Sequence, residues 1–180
     1  MYIADHGGHR IRRMSPSGYV TTVAGNGALS SIDGSGTAAT FNYPFGIVVD
    51  QNDQIFISDT SGNRIRKMTT AGQVTTFAGN GAASFADGQG TSAAFNRQYG
   101  IALSSNGFIY VADYNNNRVR KVSINTGMVS TVVGVTGVNG GTDGIGSVAT
   151  VSGLQGVGVS PNGTLYVAET GAHRIRRVSN

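Results

Sequence analysis

The chain has 180 residues, 39% apolar and 12% charged, which suffices for one ordinary domain with a real core and argues against disorder. Thirteen Lys and Arg against nine Asp and Glu give a formal charge of +4, and the absence of cysteine excludes disulfide staples and thiol chemistry while leaving the redox compartment open. No apolar run reaches the ~18 residues of a membrane helix, and the opening MYIADHGGHRIRR lacks the basic head and apolar stretch of a secretion signal, so no membrane insertion is expected.

Glycine is abundant, 28 residues against three prolines, with no collagen period, which indicates many tight turns between short strands. Taken along the chain, YIADHGGHRIRRM at 2–14 returns as FISDTSGNRIRKM at 56–68, YVADYNNNRVRKV at 110–122 and YVAETGAHRIRRV at 166–178, at spacings of 54, 54 and 56 residues. YVTTVAGNG at 19, QVTTFAGNG at 73 and MVSTVVGVT at 128 keep that period, as do DGSGT at 33, DGQGT at 87 and DGIGS at 143.

One period reads as four strands, A (46–50, GIVVD), B (55–59, IFISD), C (64–68, RIRKM) and D (73–79, QVTTFAG), each β-branched or aromatic and bounded by turn residues. Asn-Gly in SSNG (104–107) and SPNG (160–163) marks the A–B hairpin, so the four strands form an antiparallel meander. Strands A and B are apolar on both faces and need a neighbouring sheet on either side, whereas the Arg-Ile-Arg alternation of strand C suits a more exposed, outer position. The fold class expected is all-β, with propeller blades of four antiparallel strands stacked around an axis and A innermost.

These strands resemble the NHL repeat, whose Gly-Ile-Ala-Val-Asp, Ile-Tyr-Val-Ala-Asp and Asn-Arg-Ile-Arg-Lys segments have a counterpart in every copy. The long D-to-A connector, AGNG then DGxGT then FNYPFG, is similar to the form found in bacterial multidomain proteins and in some cell-surface adhesion propellers. That likeness implies an extracellular or cell-surface setting and a ring of about six blades. WD-type and kelch propellers do not fit, because the chain has no tryptophan.

The strand order gives a partial blade B-C-D (1–25), full blades at 46–79 and 100–134, and a partial blade A-B-C (156–178). The two ends duplicate B and C instead of completing one another. A homo-oligomer, or the remainder of a longer propeller chain, is therefore expected to close the ring, since an open arc exposes apolar faces and strand edges.

Twelve of the thirteen cations lie in the strand C motif; only Arg97 stands outside it. Asp5, Asp59, Asp113 and Glu169 end strand B, facing Arg12, Arg66, Arg120 and Arg176 across the B–C hairpin, and read as a structural ion-pair framework worth ~0.2–1 kcal/mol per exposed pair. No nucleophile with base and orienting acid stands out, and no metal or cofactor is expected: each DGxG loop offers one Asp, while Asn42, Asn96 and Ser152 before strand A have no convergent carboxylates. GNG at 25–27 and 79–81 precedes no helix or Lys and reads as turn geometry.

Residues the blade needs recur, whereas residues chosen for a partner need not. The copies differ in the B–C and D–A connectors, which emerge on one face, and there His9, Tyr43, Phe45, Arg97, Gln98, Tyr99, Tyr114 and His173 are the ligand-rim candidates. The expected function is a non-enzymatic binding or scaffolding module that presents these loops to a protein or glycan partner. The alternatives are an RNA-binding propeller, which the confinement of charge to the repeat disfavours, and a metal-dependent lyase or hydrolase of the kind related propellers carry at the channel mouth.

Overall fold

The computed structural model describes residues 1–135, 137–146 and 148–178. Strands β1 (Tyr2–Asp5), β2 (Arg10–Met14) and β3 (Val20–Ala24) form the first antiparallel sheet. After the two-residue β4 (Gly34–Ser35), the second contains β5 (Pro44–Val49), β6 (Ile55–Asp59), β7 (Arg64–Met68) and β8 (Gln73–Ala78). After β9 (Gly88–Gln89), the third contains β10 (Gln98–Leu103), β11 (Phe108–Asp113), β12 (Arg118–Ser123) and β13 (Met128–Val133). The fourth is β14 (Leu154–Val159), β15 (Leu165–Glu169) and β16 (Arg174–Val178). The chain is an all-β arc of four propeller blades, with the A strands β5, β10 and β14 packed side by side at the axis.

Two full blades have five strands, not four. The Gly-Ser and Gly-Gln of the DGxG connectors, β4 and β9, pair antiparallel outside β8 and β13, giving the orders β5-β6-β7-β8-β4 and β10-β11-β12-β13-β9. A two-residue strand among glycines has no periodicity to betray it. In the A–B turns the glycines take positive φ (Gly107 80°, Gly163 86°), but Asn106 and Asn162 do not, so these are not the turns with two left-handed residues that Asn-Gly suggests.

Between blades the packing is apolar and glycine-permitted. Phe41 and Phe95, at the end of each connector, are buried against Ile11 and Ala24, and against Ile65 and Ala78, of the preceding blade, each side chain contributing about 1.5–3 kcal/mol of burial. At the axis a Cβ on Gly46 would meet Ile101 N and Tyr99 O at 2.9 Å, and one on Gly100 would meet Gln155 O at 2.6 Å, so these glycines set how closely neighbouring A strands approach.

The strand C alternation does not place its middle arginine outside in the second and third blades. Arg66 and Arg120 are fully buried. Each belongs to a three-way knot. Arg66 pairs with Asp59 of strand B (2.8 Å), with Asp33 of the preceding connector (2.7 Å), and donates to Thr40 O (3.1 Å). Arg120 repeats this with Asp113 (2.8 Å), Asp87 (2.6 Å) and Ala94 O (3.0 Å), and Arg176 with Glu169 (3.6 Å), Asp143 and Thr150 O. Asp59 also accepts from Asn42 N–H, Asp113 from Asn96 N–H and Glu169 from Ser152 N–H, which ties the lead-in of strand A to the same carboxylate. In the first blade Arg12 reaches Asp5 at 3.6 Å and both are about one-third exposed, so that pair is the loose member of the set. Burial pushes the Asp59 and Asp113 carboxyls above the ordinary range against the pull of their arginines and hydrogen bonds. Asp33, less buried, is held below it: desolvation there is outweighed by hydrogen bonds from Thr76 and Arg66.

Two outcomes follow. Gly100→Ala, whose Cβ meets backbone, should lower unfolding free energy by about 1–3 kcal/mol, while Gly156→Ala, whose Cβ meets only the Ala168 methyl at 3.4 Å, should cost far less; equal losses in urea melts would overturn the close-approach argument. Asp59→Asn leaves the buried Arg66 with Asp33 as its one carboxylate partner and should cost roughly 1–3 kcal/mol, and the double variant Asp59→Asn, Arg66→Met should recover much of it. Asp59's folded pKa is raised, so its contribution to stability is present below the unfolded pKa and lost as pH rises through the folded one. The double variant should therefore compare best with wild type near neutral pH and worse toward pH ~4.

Candidate functional site: an aromatic ribbon on the connector face

The B–C turns and D–A connectors meet on one face because Thr60 and Ser61 N–H donate to Tyr43 and Asn42 carbonyls, Asn115 N–H to Asn96 O and Thr170 N–H to Gly153 O. On that face Tyr43, Phe45, Tyr99 and Tyr114 are joined, with His6, into a run of rings. His9 stands edge-on to Tyr43 at 4.5 Å, and Tyr43 lies 5.1 Å from His6. His6 is 5.7 Å from Phe45, Phe45 is 5.2 Å from Tyr99, and Tyr99 is 5.3 Å from Tyr114, the last three contacts all edge-to-face. The ribbon crosses three blades, and His6, Tyr43 and Phe45 are exposed.

Each ring occupies a column that is not a ring in every copy. Phe45 and Tyr99 align with Gln155, and His6 and Tyr114 with Thr60 and Thr170. Tyr43 and Arg97 align with Gly153, and all three are left-handed (φ 55°, 53° and 59°). Glycine adopts that backbone freely, whereas a side chain there costs on the order of 1 kcal/mol, so Tyr43 and Arg97 are held at positions the fold alone fills more easily with glycine.

Two of the candidates, His9 and Gln98, brace the frame. His9 is buried in a left-handed turn (φ 53°), and its Nδ1 accepts the Tyr43 N–H (3.2 Å); Asn63 does the same for Arg97 N–H (2.9 Å) in the next copy, so His9 is an inter-blade strut. Gln98 is fully buried and its Nε2 donates to the carbonyls of Arg64 (2.7 Å) and Asp59 (3.1 Å), taking the place held by Pro44 and Leu154 in the other copies. His173 is exposed at the far end of the arc, in a left-handed turn on the fourth blade, with no ring contact to the ribbon among the described residues. Arg97 is exposed beside the ribbon. His6, whose ring nitrogen Nδ1 lies 3.3 Å from Pro44 O, is the member that sequence comparison missed, although it shares the variable column of Tyr114.

Four of the cations are engaged within the blades. Arg10 and Arg64 spend their guanidinium N–H groups on carbonyls of Gly8 and Asn26, and of Gly62 and Asn80. Lys67 and Lys121 lie over Phe56 and Phe108 at the opposite ends of strands B and C. Among the described residues no three His, Cys, Asp or Glu side chains converge as metal ligands, and no helix is long and apolar enough to cross a membrane.

The NHL repeat family model matches residues 41–68 and 100–122. NHL repeat-containing protein 2 of Homo sapiens is 33% identical over 143 residues, covering 74% of this chain and 20% of that protein. Protein SUPPRESSOR OF QUENCHING 1, chloroplastic, of Arabidopsis thaliana is 32% identical over 102 residues, covering 56% of this chain and 10% of that protein. The chain thus spans a fifth or less of these relatives. Among solved structures, a protein of unknown function from Bacteroides thetaiotaomicron superposes at TM-score 0.80 (24% identity, 98% of this chain, 43% of that one). An auxiliary nutrient binding protein from the same organism reaches 0.79 (16%, 99% and 44%), and virginiamycin B lyase from Staphylococcus aureus 0.61 (16%, 99% and 51%). At these identities the structures speak for the fold alone. With the repeat in every blade, the family segments matched and the arc in place, the chain is a partial β-propeller built of NHL repeats.

Proposed function

We propose that this propeller segment is a non-catalytic binding module that takes a glycan on the aromatic ribbon of its connector face. The observation that carries the reading is the unbroken run His6, Tyr43, Phe45, Tyr99 and Tyr114, built from columns that the blade leaves free to vary. Exposed rings offer flat apolar faces to a sugar, and the amides bordering them supply directional donors and acceptors: Asn96 and Asn115, hydrogen-bonded to each other at 3.0 Å, and the exposed Gln155. The description of one fold neighbour as a nutrient binding protein is consistent with such a role.

The competing readings have less to work with. A lyase neighbour shows that the architecture hosts enzymes, but a metal-dependent reaction finds no ligand set on this face among the described residues. An RNA surface needs free cations on one side, and here Arg66 and Arg120 are buried in the blades.

Phe45→Ala and Tyr99→Ala should each weaken binding to the best ligand of an oligosaccharide panel about tenfold or more by calorimetry. Because Phe45 is exposed and Tyr99 half-buried, the melting temperature should hardly move. Undiminished binding in the double variant would remove the ribbon from the site. A protein ligand that competes at the ribbon while no glycan binds would replace the sugar with a protein partner.

A further inference from the structure

The lead-in to strand A of the third blade departs from the repeat at two adjacent residues, and both departures work against stability. Arg97 holds a left-handed backbone (φ 53°) where the fourth copy has Gly153. Gln98 is fully buried where the other copies have Pro44 and Leu154, and its Oε1 has no hydrogen-bond partner among the described residues. A glycine followed by a leucine spares the fourth blade both costs. Two neighbouring residues that each oppose the fold point to a task beyond folding.

Those residues also fix where the arginine stands. Arg97 N–H donates to Asn63 Oδ1 (2.9 Å), and Gln98 Nε2 donates to the carbonyls of Arg64 (2.7 Å) and Asp59 (3.1 Å), which clamps the Arg97 backbone to the second blade. One blade earlier the same place belongs to Tyr43, held by His9, and there the side chain is a ring of the ribbon. Arg97 thus takes a ribbon column, two residues before Tyr99 and next to Asn96, whose amide is bonded to Asn115.

The Arg97 guanidinium is exposed and makes no hydrogen bond, ion pair or ring contact among the described residues. None of the nine Asp and Glu side chains is left to neutralise it. Asp33 and Asp59 pair with Arg66, Asp87 and Asp113 with Arg120, and Asp143 and Glu169 with Arg176. Asp5 pairs with Arg12 in the first blade, and Asp50 and Asp53 lie in the A–B turn at the opposite end of β5. The rim therefore carries an unopposed positive charge beside its rings.

Resting on the reading of the ribbon as a glycan site, we propose that the glycan is acidic and that Arg97 is a specificity-determining residue, which binds the carboxylate of a uronate unit seated at Tyr99. A guanidinium presents two parallel N–H donors that match a carboxylate, and its clamped backbone leaves less to be ordered on binding. One free cation suits one charged unit in an otherwise neutral chain. A nucleic acid, charged at every unit, calls for a row of them.

The test uses glucuronate-capped glucan, xylan and mannan oligosaccharides, each paired with its carboxyl-reduced form, which keeps size and linkage and removes the charge. By calorimetry the full chain should bind the acidic member of its preferred pair about fivefold or more tightly than the reduced one. Arg97→Gln should abolish that preference and Arg97→Lys should weaken it, since an ammonium lacks the fork. Arg13→Gln, which removes the same charge at the far end of strand C, should leave it intact. Arg97→Gly, which restores the residue of the fourth copy, should lose the preference without lowering the melting temperature. Equal binding of acidic and reduced forms, or a preference that survives Arg97→Gln, overturns the proposal, while loss of binding in Phe45→Ala and Tyr99→Ala would still uphold the ribbon. A preference that depends on Arg97 but not on either ring removes the ribbon instead and leaves the carboxylate with Arg97. Absence of binding to every pair overturns both, and a single-stranded oligouridylate that binds more tightly than any of them through Arg97 replaces the uronate with nucleic acid.

Discussion

The buried arginine of strand C is the constraint on which the blades depend. Its separation from the connector aspartate is 33 residues in each of the second, third and fourth blades, and from the connector carbonyl 26. A guanidinium presents several donors in a rigid fork, so one side chain can fix strand B, strand A's lead-in and the incoming connector at once, which a lysine cannot. The knot does not supply most of the stability. A buried ion pair roughly breaks even against desolvation, and the raised carboxyls of Asp59 and Asp113 show desolvation prevailing over their partners' attraction. Blade-to-blade cohesion comes from Phe41, Phe95 and the apolar strands, while the knot selects one connector path among those that apolar packing alone would tolerate.

The blade itself was legible because its determinants are local and repeated: period-54 strands, glycine turns and the Asp–Arg spacing across the B–C hairpin. What escaped sequence reasoning is non-local. Alternation in strand C correctly says that Ile65 and Arg66 face opposite ways, but not that both directions are interior, because whether a face is covered depends on the adjacent blade. The fifth strand escaped for a related reason, since Gly34–Ser35 is extended by pairing with Gln73 and Val74 and not by its own propensity.

The rim was legible in part. Comparing copies picked out Tyr43, Phe45, Tyr99 and Tyr114, which the structure brings into one run of rings, yet a variable column can also hold a strut, as His9 and Gln98 show. His9 differs from Asn63 in kind but not in task, because imidazole Nδ1 and amide Oδ1 both accept the next blade's N–H. Variation between copies therefore marks a binding residue only when the side chain also points away from the next blade's backbone.

The same frame separates the variable side chains of the connector face from the strands beneath them. The arginine knots and Asn63-type struts hold the connector ends at the face, so a ring at position 45 or 99 can be exchanged for the glutamine of position 155 without moving the strands beneath it. Asp143 and β16, by contrast, lie at the outer edge, on the far side of the sheet order from the axial β14. The blade thus has an inner end that carries the variable connector side chains and an outer end built by backbone pairing. The shared arginine reaches between them, from the strand B carboxylate beside the axial lead-in to the connector aspartate at the outer strand.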